Sequence, residues 1–292
     1  EEGEGGEGGE GGERSPLAPK QAAGPRMESL PLEAAAAAEA VQPSEGPARL
    51  LTGVRSVHVQ LERPLLGGAV VALSAIENAY VLLSARGVGP HHPDVAALRV
   101  AIEHLTALEG DFWVRLRGAG LTYGASLYNL PESERLQLTL YRCGDALAAY
   151  SVTKEIIAEY ASGEATLSQV DLEGAKSSLT YNLISSTSNK PAAVGAQWAA
   201  GYTGVQADYT GWLLSKVEEV TAEDALRALS AHLTPLFEAS AVLVVSSPAS
   251  KAKELADSLG EAHGEPLPVL AEDELSSKLC GGDAADVSPP PA

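Results

Sequence analysis

Between residues 80 and 259 the spacing of apolar side chains switches several times between two and about 3.6, and the order of those switches restricts the chain to a mixed fold. Residues 80–84 (YVLLS) read as a buried strand, stopped by Gly87, Gly89 and Pro90. Pro93 and Asp94 then open a helix on which Val95, Leu98, Ile102 and Leu105 recur at helical spacing. A second, short helix is broken at Gly118 and Gly120, after which Leu136, Leu138 and Leu140 alternate with polar neighbours as one face of a strand. Val152, Ile156 and Tyr160 line one side of a further helix that ends at Gly163. Helices follow over 172–184, 191–202, 209–217 and 222–233, the last introduced by Thr221 and Asp224 at capping-box spacing. Residues 241–245 (AVLVV) read as the last strand and 249–259 as the last helix. Strands at both ends of a long helical middle predict an α+β fold: a mainly antiparallel sheet with helices packed on one face, not an alternating doubly wound sheet.

The body able to fold is residues 54–270. Residues 1–13 are Glu and Gly alone, with six acids and no side chain able to pack, so burial there cannot offset the entropy of ordering. Composition stays Pro- and Ala-rich to residue 53, with 33–40 as a short lone helix, and 1–53 is read as a disordered segment and linker. Residues 271–292, closing on three prolines, read as a flexible tail. With 39 acidic against 20 basic residues, a net charge of −19, the chain lacks the surface that generic nucleic-acid or anionic-membrane binding requires. Its longest apolar stretch, 65–85, is interrupted by paired glycines and by Glu77 and Asn78, which is too broken for a membrane span. Two distant cysteines, Cys143 and Cys280, exclude a disulfide scaffold and a Cys-rich zinc module, Cys143 reading as a small core residue. No asparagine begins an N-x-Ser/Thr acceptor, and the acidic start is the reverse of a presequence, so an intracellular setting, cytoplasmic rather than organellar, is expected. The only methionine is Met27, and a longer polypeptide extending upstream of Glu1 is expected.

Most familiar chemistry is missing. Among His58, His91, His92, His104, His232 and His263 there is neither H-E-x-x-H nor H-x-x-E-H, so no helix offers two imidazoles to one zinc. Neighbouring His91 and His92 point apart and read as a solvated turn; His104 reads as a boundary residue, and His232 and His263 have no partner in the sequence. Ser151 and Lys154 match S-x-x-K without its companion motifs, a chance match with an exposed lysine. Glycines 118, 120 and 124 resemble a stretched dinucleotide fingerprint, but they follow a helix and precede a strand, the inverse of a phosphate cradle. No metal ligand and no cofactor-binding residue is assigned.

One segment stands apart: EGDFWVRLRGAGLTYG, residues 109–124. It puts Trp113, Arg115 and Arg117 on a short helix, makes a glycine turn, and offers Tyr123 at the start of a strand. Such a turn lets the backbone pass close to a ligand, and a guanidinium and a phenol six residues apart can converge on a carbonyl oxygen and stabilise developing negative charge. The residues alone leave a second reading open, in which Arg117 pairs with an acid and Tyr123 caps the edge of the core.

This segment, followed by LTLYRCGDALAAY and DLEGAKSSLTYNLISSTSNKPAAVGAQ, resembles the C-terminal domain of pitrilysin/insulinase-type (inverzincin) zinc metallopeptidases, in particular their presequence-protease-like branch. The resemblance runs over residues 73–259 and includes Trp113, the R-G-x-G-L-x-Y-G turn, Tyr141 with Arg142, and the A-K-S-S-L helix. It implies four related α+β domains closing as a clamshell, zinc held by H-x-x-E-H in the first, and an Arg and a Tyr of the last that contact the substrate backbone. By resemblance Arg117 and Tyr123 are that pair, holding a peptide and stabilising the oxyanion of its hydrolysis. Zinc is expected in an upstream domain or a partner chain that supplies the catalytic N-terminal half. The alternative is a stand-alone inactive subunit or scaffold that binds a partner half or peptides without cleaving them. Purified chain should carry no stoichiometric zinc and no chelator-sensitive peptidase activity; robust activity by the chain alone overturns that expectation.

Overall fold

The computed structural model describes residues 67–206, 208–272 and 274. The Glu/Gly run, the linker with its 33–40 helix, Met27, His58, the start of the expected body (54–66), and Cys280 with nearly all of the expected tail lie outside the described residues.

Six strands, β1 (Gly68–Leu73), β2 (Ala79–Arg86), β3 (Thr122–Leu130), β4 (Arg135–Cys143), β5 (Val242–Pro248) and β6 (Val269–Ala271), form one sheet in the order β3-β4-β2-β5-β1-β6. The pairs β3–β4, β4–β2 and β2–β5 are antiparallel, and β1 runs parallel to β5 and β6. Alternation fixes the register. Leu127, Leu138, Leu83 and Leu243 stand opposite one another across four strands, all buried on the same face. The row ends at Gly68, where a Cβ would lie 2.4 Å from the Leu243 carbonyl oxygen, so only glycine allows β1 this close to β5.

Seven α-helices are described: α1 (Val95–Thr106), α2 (Ala146–Ser162), α3 (Gln169–Ser185), α4 (Lys190–Thr203), α5 (Tyr209–Glu219), α6 (Ala222–Leu233) and α7 (Ala252–His263). Their ends follow their sequences. Asp145 accepts from the Ala148 amide and Gly163 closes α2 in the left-handed region at φ 81°; Thr221 and Asp224 make the expected reciprocal capping box on α6. Helix α6 packs on both α1 and α2 over the apolar sheet face, with α3 and α5 against α1 and α7 against β1 and α2. Among the described residues no helix is long and apolar enough to cross a membrane.

The sheet is therefore mainly antiparallel with its helical layer on one face, but two strands exceed the sequence reading, and residues 241–245 are not the last strand. In β1 the first four residues are all buried, which erases alternation. In β6 only Leu270 is buried in a three-residue strand, too short to show a period.

Two histidines without sequence partners gain them here. His263 donates from Nε2 to the Ala241 carbonyl (3.0 Å) and meets the Tyr150 hydroxyl at Nδ1 (3.1 Å), burial pushing that hydroxyl up to about 12. His232 on α6 meets Asp94 Oδ2 at 2.9 Å, and Arg227 Nη1 donates to Asp94 Oδ1 at 2.8 Å. Asp94 thus does not cap α1, which it precedes; it ties the start of that helix to α6. Burial alone would push its carboxyl up, but the hydrogen bonds and charges of His232 and Arg227 outweigh burial and hold it below its ordinary value.

Such a carboxylate stabilises the fold above its unfolded value, near pH 4, and loses that contribution as pH falls through its lower folded value. Asp94→Asn should cost about 1–3 kcal/mol near neutrality in urea unfolding. The gap to wild type should close on acidification below about pH 4, whereas a gap that persists there would remove the ionic tie. Leu138→Ala, at the centre of the leucine row, should cost about 2–5 kcal/mol at any pH.

Candidate functional site

The segment 109–124 folds as a π-helical turn, Phe112–Arg117, followed by a glycine turn into β3. Phe112 and Leu116 are buried and anchor it, which leaves Trp113, Val114 and Arg117 outward. The exit is tight. A Cβ on Gly118 would lie 2.4 Å from the Val114 carbonyl oxygen, and Gly120 takes φ +73°. Thr122 then donates its hydroxyl to the Tyr141 carbonyl (2.7 Å), registering the start of β3 on β4.

Two arginines two residues apart serve opposite ends. Arg115 grips α2, donating bidentately to Glu159 and pairing with Glu155 at 3.2 Å. The Glu159 hydrogen bond raises its pKa, and in return Arg115 lowers that of Glu159. One residue before the turn, Asp111 accepts from the Tyr160 hydroxyl (2.6 Å), which also meets His104 Nε2 (2.9 Å). Burial, with the Asp111 hydrogen bond and charge added, pushes the Tyr160 hydroxyl far above its ordinary value, while burial pulls His104 down. The turn is thereby bolted to α2 at both ends.

Arg117, freed of that task, lies between two rings: its guanidinium carbon is 4.1 Å from the Trp113 centroid and 4.8 Å from that of Tyr123. Among the described residues no carboxylate pairs with it and no group accepts from the Tyr123 hydroxyl. Tyr123 is 60% exposed. Its ring meets Tyr141 edge-on at 6.2 Å, and Tyr141 meets Tyr80 at 5.4 Å, extending the site as an aromatic row onto the open sheet face. The sequence brought Trp113, Arg117, Tyr123 and Tyr141 to notice. Tyr80, which stands inside a buried-looking strand, carried no signal. The acid-paired arginine is Arg115, not Arg117. Arranged in this way, Arg117 and Tyr123 present hydrogen-bond donors with unspent capacity at an exposed aromatic surface, which suits a carbonyl or an anionic oxygen.

The described residues that could hold a metal are His92, Asp94 and His232, whose donor atoms lie within 4.8 Å of one another. They do not fit a hydrolytic zinc site. Both Asp94 oxygens are engaged, one by a guanidinium, and among the described residues no second carboxylate joins the three clustered donors. His91 and His92 do point apart, His91 onto Tyr209 and Trp212 and His92 onto His232. Cys143 is buried, and burial pushes its thiol up to about 11, the state of an inert core residue.

No family model matches the chain. It is similar to an uncharacterized protein of Saccharomyces cerevisiae, 36% identical over 117 residues that make up 39% of this chain and 11% of the relative. An uncharacterized protein of Caenorhabditis elegans is 28% identical over 137 residues, 47% of this chain and 14% of the relative. One of Schizosaccharomyces pombe is 24% identical over 196 residues, 66% and 19%. The matched parts of the chain cover less than a fifth of the length of these curated relatives. Among solved structures, a peptidase M16 inactive domain from Pseudomonas fluorescens superposes with a TM-score of 0.51 at 21% identity, over 62% of this chain and 43% of that one. The inactive peptidase domain of a protein named as a zinc protease, from Bordetella parapertussis, gives 0.52 at 16% identity, over 60% and 94%. The six-stranded sheet with its one-sided helical layer is the fold of these inactive peptidase domains.

Proposed function

We propose that this chain is the non-zinc-binding C-terminal part of a metalloendopeptidase of the pitrilysin/insulinase type, nearest its presequence-protease-like branch. In that role the open sheet face forms one wall of the substrate chamber. Arg117 and Tyr123 hold the peptide backbone and donate to the oxyanion that forms when water attacks the scissile carbonyl. The observation that carries the reading is the Arg117 guanidinium, held between Trp113 and Tyr123 and neutralised by no carboxylate among the described residues. Such a charge stays available for a substrate oxygen, and ring stacking restricts its motion beforehand, which lowers the entropic cost of binding. Activation of the water belongs to residues outside this chain, in an upstream domain or a partner half, where zinc is expected. The length of the relatives agrees with such an arrangement.

A second reading keeps the same surface but no chemistry: a stand-alone subunit or scaffold that binds peptides or a partner half. The likeness to domains described as inactive favours it. The size of the native polypeptide, by immunoblot against residues 100–121, separates the two. A product several-fold larger than 30.1 kDa supports the peptidase, and one near 30.1 kDa supports the scaffold. In the complete polypeptide, Tyr123→Phe should cut kcat for peptide hydrolysis by about 10²-fold with the fold intact. Unchanged turnover would return Tyr123 to a structural role.

A further inference from the structure

At the far end of β3 from Tyr123, a cavity of about 260 Å³ opens between α1, the β3–β4 turn, and helices α3, α4 and α5. Its apolar side is made by Leu183, Ala196, Val205 and Leu213. Among the described residues that line it, the cation is Arg99 on α1. Unlike Arg115, Arg86 and Arg227, Arg99 makes no ion pair and donates no hydrogen bond among the described residues. Arg99 lines the cavity, and none of its nitrogens is both sealed from solvent and without a partner.

The neighbouring polar groups do not neutralise it. Tyr209 spends its hydroxyl on the Pro90 carbonyl at 2.7 Å. Glu132 sits exposed in the β3–β4 turn and makes no ion pair with Arg99. Burial disfavours the charged guanidinium, opposed by the charges of Tyr209 and Glu132. A guanidinium with no ion pair and no hydrogen bond among the described residues keeps its donors available, and a planar carboxylate is the anion whose geometry matches its fork.

We propose that this cavity binds a carboxylate carried on a short branched apolar body, the acid bidentate on Arg99 and the body against Leu183, Val205 and Leu213. The volume, roughly that of eight or nine waters at about 30 Å³ each, admits a small branched acid or the last residue of a peptide with a free C-terminus. Both sources share one chemistry. The site is independent of the Arg117–Tyr123 surface.

Titration calorimetry on the full chain tests it, with 4-methylpentanoate against 4-methylpentanamide, and with a short peptide ending in leucine as free acid against its C-terminal amide. The acid of at least one pair should bind, and its neutral amide should bind about tenfold or more weakly. Binding by the peptide acid alone identifies a peptide C-terminus as the source; binding by both acids identifies the carboxylate itself. Arg99→Gln should abolish the preference for acid over amide, and Glu132→Gln, which removes a nearby like charge, should tighten the acids a few-fold. Absence of binding by any probe up to about 10 mM, equal binding of acid and amide, or an unchanged preference in folded Arg99→Gln would each overturn the proposal.

Discussion

Two residues along a helical turn rotate a side chain through roughly half a revolution, and the candidate site depends on that fact. With Phe112 and Leu116 in the core, Arg115 must face α2, where Glu155 and Glu159 meet it, and Arg117 must face away, toward the glycine turn and β3. The acid pairing that holds the turn in place therefore consumes one guanidinium and leaves the other unneutralised. Had the acids of α2 reached Arg117 instead, the same sequence would present a satisfied surface with nothing to offer a ligand.

Support for the site is hidden and its working face is open. Asp111, Tyr160 and His104 form a chain behind the turn, in surroundings where burial disfavours the charged imidazole and the ionised phenol alike. In front, Trp113, Tyr123, Tyr141 and Tyr80 give a ladder of rings with two or three rotatable bonds each, rigid enough to position a guanidinium at small entropic cost. A stiff support behind a wettable aromatic surface is what the proposed role asks for, since the carbonyls of an extended backbone need donors and its side chains need a tolerant floor.

Much of this was legible in the sequence because it is local. The leucine alternation of β4, the box at Thr221 and Asp224, the left-handed Gly163 and the R-G-A-G-L-T-Y-G turn each declare themselves within nine residues. What was not legible is either short or distant. β6 buries one side chain in three, and β1 is buried on both faces, so neither shows a period of two. The Asp94 tie spans 133 and 138 residues, and the unpartnered state of Arg99 follows from where five separate elements happen to leave it. Which of Arg115 and Arg117 takes the acid is decided by helical phase, and a π-helical turn shifts that phase from what α-helical spacing would suggest.

The pairing of β2 with β5 joins Tyr80 to Ser246, with every helix but α7 in between. Closing so long a loop is entropically expensive until the intervening elements have condensed, so the sheet's central seam belongs to the late, slow part of folding. The β3–β4 hairpin and the helical run can organise from near neighbours, but β2 keeps an unpaired edge until β5 arrives. On the ribosome that edge waits for most of the domain to be synthesised, and during the wait it is the segment most open to pairing with the wrong strand.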